Sequence, residues 1–292
     1  MDFRLMMTGC ILTCFVAFAG LGRAKAENAL GGTYARLLML SSTEDISASS
    51  FRTDEGVRFD KFLLPYEMLH LDITDRLSLS GTVRGGYLKV KGQNDDDGSI
   101  IRLQWDIFSV VSGLVGRYHI NDEVAMKGGV ELGYVYMRNR YAFDDENRLD
   151  MASQNGLIAP MLGIEYTNEV DNGDRLHIEG GLSWMHVSSF STSNRLMNIH
   201  NEKAGSWSLR GEYTFDGVYR LLSRPMDVIV SNNLGGFYGK GYRDIDMGFM
   251  NNTELATGSR VRIFGRSYGV RVGVGYLVND KGHGVSLVMR MN

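Results

Sequence analysis

The chain contains segments in which apolar and polar residues alternate one by one. In the segment Val124–Tyr136, one set of alternate positions is Val124, Met126, Gly128, Val130, Leu132, Tyr134 and Tyr136, and the other is Ala125, Lys127, Gly129, Glu131 and Gly133. Successive side chains of a β-strand point to opposite faces. The segment therefore predicts a strand with one apolar face, which ends in two tyrosines, and one face of small and charged residues.

The same alternation recurs along the chain and predicts an all-β fold. It is found in the segments that begin at Leu77, Leu176, Trp207 and Tyr268. These segments exceed the five or six residues usual for a strand in a soluble protein, and they reach the roughly 9–11 residues that a tilted transmembrane strand requires. Alternation alone fits a soluble periplasmic β-sandwich as well as a membrane barrel, because both have one apolar and one polar face.

Three features favour a single antiparallel transmembrane β-barrel over the sandwich. The apolar faces often end in aromatic residues, the polar faces mix acidic and basic residues with glycine, and the connections tend to alternate between short and long. All three are typical of outer-membrane barrels. The predicted strands are 33–42, 59–73, 76–91, 101–118, 124–141, 155–169, 175–190, 203–215, 226–239, 247–257, 261–278 and 283–292. Their number, twelve, is even, which puts both termini on the periplasmic side.

The barrel interpretation assigns a side to the residues of each strand. We expect the following charged residues to face the lumen: Arg84, Lys127, Glu131, Glu179, Arg210, Glu212 and Arg271. We expect the following aromatic residues to face lipid or to form interfacial girdles: Trp105, Tyr134, Tyr136, Trp184, Trp207, Phe215 and Tyr276. Because twelve strands enclose only a modest bore and opposite charges on adjacent strands can pair, a structural charge network is favoured over a selective channel.

Several segments depart from the regular pattern. We expect a β-bulge near Met68–Leu69 beside Pro65, and a bulge or an edge position at Pro160, which cannot donate to a ladder. The remaining expectations concern connections: long external loops at Ser41–Arg58, Gly92–Ser99 and Ala142–Gln154, a short turn at Thr257–Ser259, and a long link at Asp216–Pro225 with room for one helical turn.

The N-terminus has the pattern of a secretory signal peptide. Arg4 precedes an apolar run from Leu5 to Leu21, and Ala24-Lys25-Ala26 forms a small-x-small cleavage site. We expect residues 1–26 to be removed and residues 27–292 to form the barrel domain; an uncleaved membrane anchor is the alternative. Both cysteines lie in the signal, so the mature chain is expected to lack disulfides and thiolate metal sites.

Composition narrows the function classes. The net charge of the chain is −3, and it becomes more negative when the basic signal is removed, which argues against a nucleic-acid partner. No run after the signal reaches the ~18 apolar residues of a transmembrane helix. The acidic stretches lack the spacing of a calcium loop, and no phosphate-binding glycine loop is present. We therefore predict no metal site and no cofactor.

Two segments carry a resemblance to a known family. Phe59–Gly92 and Gly258–Asn292 resemble the solitary autotransporter-type β-barrels of Gram-negative outer membranes. The resemblance implies a translocator-like barrel without a passenger, inserted into the cell outer membrane by the barrel-insertion machinery and in contact with outer-membrane lipids and lipopolysaccharide. It leaves the oligomeric state open. The chain departs from the family at its last residues, Met289-Arg-Met-Asn292, which lack the usual terminal aromatic residue.

A non-enzymatic function is favoured, and two alternatives stay open. His186 and Ser188 are two residues apart and would share the outer face of a strand, with Asn198 nearby. This arrangement resembles the outer-membrane phospholipases, in which histidine activates the serine hydroxyl and asparagine orients the imidazole. The second alternative is a narrow porin whose lumenal charges line a solute path.

Overall fold

The protein is a closed barrel of twelve antiparallel strands. The computed structural model describes residues 46–96, 99–143, 147–170, 173–193, 197–200, 202–238, 249–263 and 266–291. Each strand pairs with its neighbours in the sequence, and β1 closes the ring by pairing with β12. The strands are β1 Ile46–Thr53, β2 Arg58–Thr74, β3 Leu77–Asp96, β4 Ser99–His119, β5 Val124–Phe143, β6 Asn147–Glu169, β7 Arg175–Thr192, β8 Glu202–Leu221, β9 Arg224–Tyr238, β10 Phe249–Ile263, β11 Arg266–Asn279 and β12 Gly282–Met291. The predicted fold class is confirmed, and the soluble sandwich is wrong.

Alternation along each strand separates an apolar outer surface from a polar interior. Leu132 of β5 is 57% exposed and Leu209 of β8 is 42% exposed, while the adjacent Glu131 and Arg210 point inward and are largely buried. Similar exposed apolar side chains occur on most of the strands. Soluble monomers rarely expose apolar patches of more than a few hundred Å². The outer surface is therefore suited to contact with hydrocarbon.

The two ends of the barrel differ in what they carry. Ile46 of β1 pairs with Met289 of β12, so the first strand starts and the last strand finishes at the same end, here called the lower end. The opposite, upper end carries the tight turn between β1 and β2 and residues 197–200, which belong to the connection between β7 and β8. Within the described residues, no helix is long and apolar enough to span a membrane.

The first strand lies later in the chain than its sequence predicts. The predicted strand 33–42 and the predicted signal peptide lie outside the described residues. The predicted loop Ser41–Arg58 is wrong, because it contains β1, which turns into β2 through a hydrogen bond from Thr53 N to Val57 O of 2.8 Å. The serine-rich sequence of β1 has little apolar alternation. It is held as a strand because β2 and β12 supply backbone partners along both of its edges.

Strands also replace most of the other predicted connections. The predicted loops Gly92–Ser99 and Ala142–Gln154 are largely parts of β3 to β6, and the predicted turn Thr257–Ser259 lies inside β10. The link Asp216–Pro225 has no helical turn: β8 continues to Leu221, and Leu222 and Ser223 form a tight turn with positive φ angles of 51° and 66°. Backbone pairing thus extends beyond the sequence segments that alternate in polarity.

The prolines distort the ladders in two different ways. The register of β2 against β3 shifts between Glu67 and Leu69, which confirms the predicted bulge near Pro65. Pro160 leaves the register of β6 against β7 unchanged, although neither it nor Ala159 pairs with β7. The nearest register shift falls at Gln154/Asn155 instead, so a bulge at Pro160 is wrong. A local break in hydrogen bonding is enough to accommodate the missing N–H.

Candidate functional site in the barrel interior

Ion pairs that mostly join non-adjacent strands across the interior occupy the middle and lower parts of the bore. On β3 and β5, the guanidinium of Arg84 bonds the carboxylate of Glu131, and both side chains are nearly buried. The two residues are inward-facing because their sequence neighbours on each strand face outward. A buried charge is tolerated only when it is paired, so this contact fixes both side chains.

A second cluster is centred on Lys127 of β5. Its ammonium lies 2.7 Å from Glu179 Oε1 and also bonds Glu165. Arg117 Nε lies 2.9 Å from the second oxygen of Glu165. His177 Nε2 lies 3.7 Å from Glu179 Oε2, and its Nδ1 is 2.9 Å from a threonine hydroxyl. Four strands, β4 to β7, are thereby joined through one lysine and two carboxylates.

A third cluster joins β8, β10 and β11. Glu212 Oε2 accepts hydrogen bonds from Arg210 at 2.8 Å and from Arg271 at 2.6 Å. Arg271 also contacts Glu254 Oε2 at 3.4 Å and Ser231 Oγ at 3.3 Å. Arg271 and Glu254 are among the most deeply buried charged residues in the protein.

The three clusters together form what we call the charged layer, and it is electrically balanced. Its cations are Arg84, Arg117, Lys127, Arg210 and Arg271, and its anions are Glu131, Glu165, Glu179, Glu212 and Glu254. The seven residues predicted to face the lumen all lie in it. A balanced layer stabilises the barrel by mutual pairing and provides little net potential to select ions of one sign.

Three members of the charged layer are not among the seven residues predicted to face the lumen, namely Arg117, Glu165 and Glu254. Arg117 shares its face of β4 with Trp105, which was assigned to the lipid side, so the strand was given the wrong parity. The useful sequence signal was the apolar set Phe108, Val110, Leu114 and Tyr118, which alternates with a set that contains Ser109, Gly113 and Arg117. Once that register is fixed, Arg117 must point into the bore.

Three donors of the charged layer have the composition of a metal site. Ligand atoms of Glu165, His177 and Glu179 lie within 4.8 Å of one another. The ammonium of Lys127 bonds both carboxylates, so a protein cation already stands where a metal ion would bind. The arrangement therefore stabilises the carboxylates without requiring a metal.

The upper part of the bore is filled by apolar side chains, which we call the apolar layer. Its buried members are Phe51, Leu88, Val90, Trp105, Ile107, Val111, Val135, Met137, Met151, Leu157, Ala159, Met185, Val187, Met197, Ile199, Ala204 and Leu277. These residues form two clusters, and Phe59 packs against both. The members of the apolar layer come from β1, β3 to β8 and β11, and from the connection between β7 and β8, so it draws on most of the ring.

Met197 and Ile199 come from the connection between β7 and β8, not from the wall. Each is only 1% exposed. The connection is fixed to the wall because Ile199 N donates to Ser189 Oγ at 2.8 Å and Ser189 Oγ donates to Asn155 Oδ1 at 2.6 Å. Met197 and Ile199 therefore pack into the apolar layer from the upper mouth.

The predicted aromatic girdle is only partly on the outer surface. Tyr134, Phe215 and Tyr276 are exposed, and Tyr136, Trp184 and Trp207 are half-buried on outward-facing positions. The assignment of Trp105 to the lipid side is wrong, because it is 5% exposed and lies in the apolar layer. In the upper part of the barrel the apolar face of β4 is the inner one.

The candidate lipase residues are not assembled into a hydrogen-bonded triad. His186 and Ser188 share the outward face of β7 and are half-buried, while the alternating residues Met185 and Val187 face the bore. Asn198 is exposed on the connection between its buried neighbours Met197 and Ile199. Among the described residues, no hydrogen bond joins the side chains of these three candidates.

Known structures share this fold. The β domain of the Bordetella autotransporter BrkA matches with a TM-score of 0.56 and 12% identity over 84% of this chain and 96% of that one. The translocator domain of NalP from Neisseria meningitidis matches with a TM-score of 0.59 and 10% identity over 84% of both chains. The transport unit of AIDA-I from Escherichia coli matches with a TM-score of 0.54 and 13% identity over 91% of this chain and 99% of that one.

No protein-family model and no curated protein matches the sequence. These three structures are the β domain, the translocator domain and the transport unit of autotransporters. At identities of this size they establish the fold alone. The chain therefore has the fold of an autotransporter-type outer-membrane barrel, which confirms the class that the sequence resemblance implied.

Proposed function

We propose that this protein is an integral outer-membrane barrel of a Gram-negative bacterium, exported by its signal peptide, non-enzymatic, and closed in its resting state. The translocator fold, the apolar outer surface and the signal pattern at the N-terminus support the location. In this class of barrel the strand termini lie on the periplasmic side. The lower end is then periplasmic, and the upper end, with its filled mouth, is external.

The apolar layer is the observation that carries the closed state. A hydrated ion that crosses it would lose its water without gaining polar partners, at a cost of several kcal/mol. The charged layer below does not offset this cost, because its cations and anions are already paired with one another. A barrel with this interior supports the envelope or presents its external surface, and it does not conduct at rest.

Planar-bilayer recording tests the closed state. We expect the wild-type protein to give no conductance steps, and the double variant Met197→Asn, Ile199→Asn to give steps because its polar side chains admit water to the apolar layer. His200→Asn is the matched control, since His200 is exposed on the same connection. Stable conductance from the wild-type protein, or silence from the double variant with its folded, heat-modifiable gel migration intact, would contradict the proposal.

Cell fractionation tests the location. We expect a band that is extracted from outer membranes only by detergent and that migrates differently in gels before and after heating. Recovery of the protein in the osmotic-shock supernatant would refute the membrane assignment.

A further inference from the structure

Near the upper end, the outward-facing residues of β2 to β5 change from aromatic to charged. The change takes place over two positions along each strand. Cross-strand pairing lines up an aromatic row, made of Phe62, Tyr87, Phe108 and Tyr136 on β2 to β5. The rings of Tyr87 and Phe108 are 4.7 Å apart. Below this row the outward positions include the exposed Leu64, Val110 and Tyr134. Such rows mark the boundary between hydrocarbon and head groups.

Two charged rows lie directly above the aromatic row, on the same outward face. The first is Asp60, Lys89, Asp106 and Arg138, and the second is Arg58, Lys91, Gln104, Arg140 and Asp150. Their positions follow from strand pairing, because Lys89 is opposite both Asp60 and Asp106. The rows thus lie at the depth of lipid head groups if the aromatic row marks the membrane boundary.

The carboxylates of the charged rows are already neutralised by arginines. Asp60 bonds Arg58 at 2.8 Å and also accepts from Ser50. Asp106 bonds Arg140 and accepts from the Tyr87 hydroxyl at 2.7 Å, and Asp150 accepts from Arg138 at 2.9 Å. Among the described residues, no ion pair or hydrogen bond engages the ammonium groups of Lys89 and Lys91. These two lysines supply the excess positive charge of the rows.

The two lysines stand on rigid backbone. Between and beside them, Leu88 and Val90 point inward into the apolar layer and are nearly completely buried. Their strand is also paired on both edges, with β2 and β4. Because the backbone is fixed by the core, the Cα atoms of the two lysines are held about 7 Å apart, and both side chains leave the same face of the strand.

We propose that Lys89 and Lys91 bind the phosphate groups of lipopolysaccharide in the outer leaflet, with its acyl chains packed on Phe62 and Phe108 below. The proposal rests on the proposed location of the upper end outside the membrane. A soluble polyanion would satisfy the lysines but leave the aromatic row exposed. Only an amphiphile with an anionic head group complements both halves of the surface.

Binding of purified lipopolysaccharide to the detergent-solubilised full chain tests this inference. We expect Lys89→Gln with Lys91→Gln to weaken binding by about 25-fold, or roughly fivefold for each cation removed near an anionic lipid. Lys89→Arg with Lys91→Arg should bind as the wild-type protein does. The matched control is Arg76→Gln with Arg224→Gln, two exposed cations at the lower end, which should leave affinity unchanged.

The probe is varied to identify the source of the phosphate. Lipopolysaccharide treated with phosphatase should bind the wild-type protein as weakly as untreated lipid binds the double glutamine variant. Equal affinity of the two lipids, equal affinity of wild-type and glutamine variants, or full competition by inorganic phosphate at matched phosphate concentration would overturn the inference. Gel migration before and after heating and planar-bilayer conductance are measured separately for each variant. Loss of lipid binding is therefore distinguishable from failure of the proposed closed barrel.

Discussion

Replacement of Lys127 by methionine tests whether the charged layer is held together by buried ion pairs. The ammonium contacts Glu165 and lies 2.7 Å from Glu179. The side chains of the three residues are only 12%, 9% and 19% exposed. Methionine keeps most of the length of the side chain and removes the charge, so the two carboxylates are left close together without the cation between them.

The expected loss is large because the remaining charges cannot be solvated. Removal of one partner of a buried ion pair costs about 3–5 kcal/mol. We expect the lower end of this range, about 3 kcal/mol, because Arg117 still contacts Glu165 and His177 still faces Glu179. A second substitution, Glu179→Gln, should recover part of the loss, since it removes one of the two uncompensated charges.

Reversible urea unfolding of the barrel in detergent micelles, followed by tryptophan fluorescence, measures the free energy of unfolding. Arg138→Met is the matched control, because its ion pair with Asp150 is on the outer surface and both side chains are nearly half exposed. Such an exposed pair contributes little to the free energy of unfolding, because water screens both charges. If Lys127→Met destabilises the barrel no more than this control does, the charged layer is hydrated and does not hold the strands.

Three further substitutions have defined outcomes. Ser188→Ala should leave phospholipase turnover of the refolded protein at the same background level as wild-type, and a lower turnover in the variant would revive the lipase hypothesis. Ser223→Gly should stabilise the barrel by about 1 kcal/mol in the same urea assay, because a residue with φ of 66° is strained unless it is glycine. Gly284→Ala should lower the temperature of heat-modifiable unfolding, because its Cβ would clash with the carbonyl oxygen of Ser50 across the closing seam; Gly211→Ala, whose Cβ would meet nothing within 4 Å, is the control.

The fold was predictable because a barrel repeats one simple unit. Alternating polarity, glycine and short polar turns are local signals, and a chain of antiparallel hairpins follows from them without long-range information. The strand ends were less predictable. The segment 46–53 is a strand because β2 and β12 pair with it, and no residue within it indicates that pairing. The connection that carries Met197 and Ile199 into the bore likewise depends on contacts with distant strands.

The prediction of which residues face the bore depends on the register of each strand, and β4 shows why. A shift of one residue exchanges every inner and outer position. Trp105 and Arg117 share one face of β4, yet aromatic residues were assigned outside and charged residues inside. The structure satisfies both residues on the inner face, because the bore is apolar at the level of Trp105 and charged at the level of Arg117. A rule with one polarity for the whole length of a strand cannot describe this.

The polarity of the barrel wall reverses along its length, and the reversal locates the membrane. On β3 the inner face passes from Arg84 in the charged layer to Leu88 in the apolar layer. On the outer face of β4, the outward-facing residues change from the aromatic Phe108 to the charged Asp106 at a similar level. A strand surrounded by hydrocarbon must keep its charges inside, whereas a strand surrounded by water must keep its apolar residues inside. Both faces change near Tyr87, so the upper part of β3 to β5 has the architecture of a water-soluble barrel standing on a membrane-embedded one.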